Sequence, residues 1–282
     1  MIKDNDNNWF TEIHSQAGSA FSLQVREKLH DEQSTYQHIE IYATTHFGNL
    51  MVIDGCYMLT GLDNFLYHEM MSHPALFTHP DPKRVVIIGG GDCGTLREVL
   101  KHPGVEHALQ VDIDERVTRL AETYFPELCE SNDDPRAELY FGDGIEWMKQ
   151  APAGSVDVII VDSTDPVGPA EGLFTEAFFR SCHSALGADG VIVQQSESPL
   201  FHYDSIIKPM HKAMRDAGFS DCVTLPFPQP CYPSGWWSAT LAGKRPVQEF
   251  RTAAAQGKTF TTRYYNAGIH AGALAAPEFF NS

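Results

Sequence analysis

The chain is predicted to be an α/β protein in two parts: a small N-terminal antiparallel β domain over residues 1–64, then a doubly wound sheet domain over residues 65–282. Three observations lead there. Short β-type segments, Ser22–Val25, His38–Tyr42 and Leu50–Asp54, alternate with turn signals at His46–Asn49 and Asp54–Gly55, as in a set of hairpins. From Asp63 the period changes, and Phe65, His68, Glu69, Met71 and Ser72 run without Gly or Pro as far as Pro74, so a helix begins there. After Pro82, strands at 85–88, 108–111, 137–141, 156–161 and 190–194 alternate with helices at 94–101, 115–124, 144–150 and 175–186. That alternation makes a parallel sheet covered on both faces. A further helix is expected over 205–217, and 221–227 with 237–243 as an antiparallel edge pair.

At 282 residues the chain has ample length for a full core. Lys and Arg total 20 against 37 Asp and Glu, a formal charge of −17. Such a balance disfavours nucleic acids and anionic membranes and attracts small cations. No apolar run approaches the ~20 residues of a membrane span, so no membrane partner is expected. Met1–Asn8 is polar and acidic, unlike a leader, and six cysteines without Cys-x-x-Cys spacing read as buried thiols of a cytoplasmic protein. His68-Glu69-Met70-Met71-Ser72-His73 nearly matches a zinc-protease motif, but its second histidine comes one residue late; no metal site is expected there.

The most informative segment is Val161-Asp162-Ser163-Thr164-Asp165-Pro166. It closes the apolar run 156–161 and sets two carboxylates three residues apart at a strand's C-terminal end. In an open α/β sheet that edge is where ligands bind. No Lys or Arg lies between Lys149 and Arg180, which suits a cationic substrate that must lose a proton. The Pro- and Gly-rich stretch from Thr164 to Thr175 suits a lid.

Ile88-Gly89-Gly90-Gly91-Asp92-Cys93-Gly94 joins the first strand and helix of the sheet in Rossmann-like fashion, and Asp112 ends the next strand. Strand, glycine turn, helix, strand and acid in that order suit an adenosine, with Asp112 accepting from both ribose hydroxyls. Asp92 argues against a pyrophosphate, which it would repel. Phe141-Gly142-Asp143-Gly144 offers a carboxylate to an adenine amine, or forms a plain turn.

Taken together, Trp9-Phe10-Thr11-Glu12, Tyr36-Gln37, Val52-Ile53-Asp54-Gly55, Tyr67-His68-Glu69-Met70, Gly89-Gly90-Gly91-Asp92, Asp162-Ser163-Thr164-Asp165-Pro166, Tyr232-Pro233-Ser234-Gly235 and Tyr264-Tyr265-Asn266 resemble the polyamine aminopropyltransferase family, its spermidine synthases above all. The resemblance implies a methyltransferase-type sheet domain and a homodimer or homotetramer. It implies decarboxylated S-adenosylmethionine as donor, a co-substrate rather than a cofactor, and putrescine as acceptor. Spermidine and methylthioadenosine are then the products. By position Asp162 matches the proton acceptor and Asp165 the acid holding the acceptor amine. Tyr67, His68 and Tyr232 match the polyamine channel, and Ser163 and Thr164 are expected among the substrate-binding residues. Asp92 matches the acid for the donor's aminopropyl ammonium, and Gln37, Asp112, Asp143, Gly144 and Pro169 match the methylthioadenosine site. Met58 stands where Gln is common, Gly61-Leu62 where Glu-Arg is usual and Cys93 where a small residue is usual, and Trp236-Trp237 is unusually aromatic.

Three other readings compete. A methyltransferase shares the sheet, but its glycine motif has an acid where Ile87 stands here. Asp92 disfavours a nicotinamide dehydrogenase. A polyamine-binding protein without turnover is opposed by the presence of Asp162, Tyr67 and Tyr232.

Overall fold

Five strands, β1 (Trp9–His14), β2 (Ser19–Gln33), β3 (His38–Thr44), β4 (Asn49–Ile53) and β5 (Cys56–Thr60), form an antiparallel sheet in sequential order. The computed structural model describes residues 8–166 and 168–281, with only the main chain at Pro169 and Asn281. Asp54 and Gly55 link β4 to β5 with φ of 50° and 86°, the two-residue turn that matches strand twist. Ile39, Ile41, Met51 and Ile53 pack against Val117, Leu120, Phe125 and Leu128 of the sheet domain. Burial of that face seats the hairpins over the glycine turn.

The first helix, α1 (Asn64–Thr78), runs through Pro74 rather than stopping there. Proline removes one N–H from a helix interior. Here Met70, Met71, Ala75 and Leu76 are wholly buried on either side of it, and packing outweighs the lost bond.

The second sheet contains β6 (Arg84–Gly89), β7 (His107–Asp112), β8 (Ala137–Phe141), β9 (Val156–Asp162), β10 (Leu186–Gln195), β11 (Asp221–Pro228) and β12 (Trp236–Gly243). Their spatial order is β11-β12-β10-β9-β6-β7-β8. β8, β7, β6, β9 and β10 run parallel, while β12 lies antiparallel to β10 and β11. Alternate residues face opposite ways, as period two requires. Val85, Ile87, Val158 and Ile160 meet α1 and α2 (Gly94–Leu100), whereas Val86, Ile88, Ile159 and Val161 join the core on the other face. That core takes in Met148 of α4 (Gly144–Gln150), Phe178 and Phe179 of α5 (Glu176–Ala185) and Met210 and Met214. The helix α3 (Glu115–Tyr124) lies under the hairpin sheet. β6 and β9 are neighbours at the point where the winding reverses, and their ends meet as Gly89 beside Asp162.

Two expectations need correction. The helix expected over 205–217 is composite: α6 (Pro199–His202), a π-helical turn over Tyr203–Ile207 and α7 (Lys208–Asp216). The cysteines are all free, but only Cys93, Cys182 and Cys231 are buried; Cys56, Cys129 and Cys222 are half-buried. Two short helices, α8 (Thr252–Gln256) and α9 (Ala267–Ala273), follow the sheet. Among the described residues no helix is long and apolar enough to cross a membrane.

One buried side chain ties the C-terminal segment to α1. Glu69, 1% exposed, accepts the N–H of Arg263 at 2.7 Å, Tyr264 at 2.9 Å and Tyr265 at 2.7 Å. Glu69→Gln keeps the volume but turns an amide N–H₂ on main-chain donors. The expected loss is about 1.5–3 kcal/mol, seen as a melting temperature lowered by roughly 3–8 °C. An unchanged melting temperature would show that the carboxylate contributes nothing to holding this segment.

Candidate active site

Asp162 ends β9 and gathers three elements. Its carbonyl accepts the Gly90 N–H at 2.8 Å, and a Cβ on Gly89, where φ is 83°, would lie 2.1 Å from that oxygen. Only glycine allows so close a crossing. Tyr67 from α1 donates its hydroxyl to Asp162 Oδ1 at 2.6 Å, and Thr95 from α2 donates to Oδ2 at 2.6 Å. Burial, and then the charge of Asp92, pushes the Asp162 carboxyl above the usual range; His68 and the two hydroxyls pull against them. The result is a fixed, desolvated carboxylate of enhanced basicity.

Asp92 lies in the glycine turn. Gly94 N–H donates to Asp92 Oδ1 at 2.7 Å, and His68 Nε2 stands 3.2 Å from the same oxygen. Burial opposes ionisation of Asp92, but His68 and the Gly94 N–H hold its carboxyl below the usual range. The imidazole of His68 is itself raised by Asp92 against its own burial. Gly94 is required because a Cβ there would come within 2.2 Å of the His68 ring. Cys93 takes φ of 67°, a region that favours glycine, with its sulfur 3.6 Å from the Gly91 carbonyl. The two histidines of the near-zinc motif part company, since His73 meets His102 at 3.0 Å instead.

A cavity of about 390 Å³ opens over these groups, walled by Gln37, Met58, Gly90, Asp112, Asp143, Gly144, Asp162 and Leu173 among others. Burial pushes the Asp112 carboxyl up to about 7; the Asp114 N–H opposes this, and the charges of Asp114, Asp162 and Asp92 add to it. Gln37 reaches the cavity from the hairpin sheet, its amide donating to Asp114 at 3.1 Å. Asp143 caps α4 through the N–H groups of Ile145 at 2.8 Å and Glu146 at 3.2 Å, which leaves its other oxygen for a ligand. The stretch expected as a lid contains a 3₁₀ turn, Gly168–Phe174, whose Ala170 and Leu173 line the cavity. Pro169 belongs to that turn, and Val167 lies outside the described residues.

A narrow annex of about 40 Å³ adjoins it, sharing Tyr67, Ser163, Thr164, Asp165 and Tyr232 as walls. Tyr232 packs edge-on against Tyr67 at 5.8 Å and Trp237 at 4.8 Å, and its hydroxyl donates to the Met58 carbonyl. The Ser163 hydroxyl donates to the Thr164 carbonyl at 3.0 Å, and Gln195 donates to that carbonyl at 3.3 Å. Asp165 is exposed and turns toward other acids rather than toward Asp162. Glu197, 1% exposed with φ of 66°, accepts the Gln195 amide at 3.2 Å; burial first, and then the Asp165 charge, raises its carboxyl well above the usual range. Glu12 lines the annex from β1, accepts the Tyr57 N–H at 2.7 Å and is pushed up to about 7 by burial, against that N–H and with help from Asp165. Sequence reasoning missed Glu12 and Glu197 as site residues. Glu12 stood in a quoted motif, but only β1 pairing beside β2 and the Tyr57 contact reveal its direction.

Comparison with known proteins agrees with this geometry. Residues 64–252 match the spermine/spermidine synthase domain, and residues 8–61 match the spermidine synthase tetramerisation domain. The polyamine aminopropyltransferase of Methylococcus capsulatus is 68% identical over 96% of this chain and 95% of its own length. That of Thioalkalivibrio sulfidiphilus is 67% identical over 98% and 97%. A spermidine synthase crystallised with the transition state analogue AdoDATO superposes with a TM-score of 0.92 at 35% identity, covering 97% of this chain and 94% of that one. The spermidine synthase of Thermotoga maritima gives 0.90 at 36% identity, over 96% and 92%. With both its domains matched and its acids gathered at the switch point of the sheet, the chain belongs to the polyamine aminopropyltransferases, the spermidine synthase family of transferases.

Proposed function

We propose that the chain transfers the aminopropyl group of decarboxylated S-adenosylmethionine to putrescine, giving spermidine, methylthioadenosine and a proton. The observation that carries this reading is the placement of Asp162 in the wall of the larger cavity, next to Ser163 and Tyr67 that this cavity shares with the annex, and clamped by Tyr67 and Thr95. An ammonium with a pKa near ~10 has no lone pair at neutral pH. The basic carboxylate of Asp162 takes its proton, and the freed nitrogen attacks the carbon next to sulfur. The C–N bond forms as the C–S bond breaks, and the electron pair leaves with neutral methylthioadenosine. The sulfonium is a sufficient leaving group without a metal, and no resident cofactor is needed.

The rest of the site divides the labour. Asp112 accepts from the ribose hydroxyls, while Gln37, Asp143, Gly144 and Pro169 frame the nucleoside. Asp92 attracts the cationic aminopropyl tail and would repel the carboxylate of undecarboxylated S-adenosylmethionine. Glu12, Asp165 and Glu197 offer the far ammonium of putrescine three acids, and the raised proton affinities of Glu12 and Glu197 fall once a cation is seated. Match of residues 8–61 to a tetramerisation domain supports a homodimer or homotetramer.

Release of methylthioadenosine tests the function. Protein with putrescine and the decarboxylated donor should release it, and protein with putrescine and S-adenosylmethionine should not. Release with both donors, or with neither, would overturn the proposal.

Asp112 supplies a pH dependence. Its carboxyl titrates at about 7 in the free protein and binds ribose as the carboxylate. Since binding selects the deprotonated form, methylthioadenosine affinity is full above that value and falls as pH drops through it, by up to about tenfold per pH unit. Asp112→Asn should bind weakly and show a flat profile by calorimetry. A flat wild-type profile from about pH 8 to about pH 6 would remove the carboxylate from the ribose site.

A further inference from the structure

We infer that the C-terminal pair Phe279 and Phe280 is an aromatic clasp that positions the acceptor-binding walls, an inference that rests on the acceptor site proposed above. Phe280 stacks on Tyr203 with ring centroids 4.3 Å apart and planes 6° from parallel. The Tyr203 hydroxyl donates to the Phe280 carbonyl. Phe279 meets Tyr203 edge-on at 5.8 Å and Trp236 at 6.1 Å. The last turn of the chain (Glu278–Asn281) therefore touches two segments at once.

One segment carries part of the annex wall, and the other follows Gln195, which lines it, and Glu197 behind it. Tyr203 opens the π-helical turn after α6, which follows Glu197 by two residues at its Pro199 start. A π-turn inside a helix often marks a functional site. Trp236 adjoins Trp237, which lines the annex and packs on Tyr232. Below the clasp the same segments are pinned together by Ser198 Oγ and Ser234 Oγ at 2.7 Å, and by Ser238 Oγ donating to the Glu197 carbonyl at 2.8 Å. Glu197 and Ser234 both sit at φ of 66°, so neither segment is a relaxed loop. Strained residues persist where their surroundings over-determine them. The clasp supplies that constraint from outside while touching neither substrate nor Asp162. Phe279 and Phe280 are thus positioning residues.

The test is steady-state kinetics of Phe279→Ala/Phe280→Ala with both substrates varied. Loss of the ring contacts should raise the putrescine KM about tenfold. The donor KM and kcat at saturating putrescine should stay within about twofold, because the Asp162 clamp and the nucleoside cavity are untouched. Phe280→Tyr, which keeps the stack, should restore the wild-type putrescine KM. Should the double variant fail to fold, Phe280→Leu must show a smaller rise in the same constant. A wild-type chain without putrescine-dependent release overturns the acceptor site and the clasp together. Wild-type turnover with an unchanged putrescine KM in the folded variants, or an equal rise in both KM values, overturns the clasp alone.

Discussion

The site depends on one carboxylate held at a crossing of chains. Asp162 is the last residue of a central strand, and its main chain lies so close to Gly89 that no side chain fits between them. Its two oxygens receive hydroxyls from separate helices, Tyr67 on α1 and Thr95 on α2. Both helices cover the same sheet face, and their apolar residues share one core with Val85, Ile87, Val158 and Ile160. The packing of that face thereby sets the direction of the carboxylate. A displacement of either helix would free one carboxylate oxygen and leave that helix's own hydroxyl without its partner.

Around this point the chain concentrates acids where a stable protein would avoid them. Asp92, Asp112 and Asp162 line the larger cavity, and Glu12 and Asp165 line the annex with Glu197 just behind. Of these, Asp112, Asp162, Glu12 and Glu197 are raised by burial, and each by at least one neighbouring acid. Asp92 has His68 at 3.2 Å, while Glu12 has His14 and Glu197 has His202 at 3.5 Å, two imidazoles that burial holds below their usual range. Such repulsion weakens the free protein and strengthens its complex with a cation, the usual trade between stability and function. The net charge of −17 extends the same field outward and favours encounter with small cations.

Much of this was legible in the residues. The apolar runs of the parallel strands, the glycine turn before Gly94 and the acids at strand ends mark the switch point without coordinates. Asp112, Asp143 and Asp162 each end or follow a strand, so all three share one edge of the sheet. What could not be read depends on distant pairing. Glu12 finds Tyr57 across 45 positions, and Glu69 finds Arg263 across 194. Asp165, three residues from Asp162, reads as its partner but faces Glu197 instead, because the chain leaves the strand after Asp162 and turns toward the end of β10. The π-turn over Tyr203–Ile207 breaks the single helix expected over 205–217.

The most direct test of the central role of Asp162 is the single-turnover rate of Asp162→Asn with both substrates saturating. The variant retains size and one accepting oxygen but has no base. The account predicts a fall of ~10²–10⁴ in the rate of the chemical step, with donor affinity unchanged. Part of the rate should return as pH rises toward the amine's own pKa near ~10. A near-normal rate at neutral pH would contradict the account and move the proton to another acceptor.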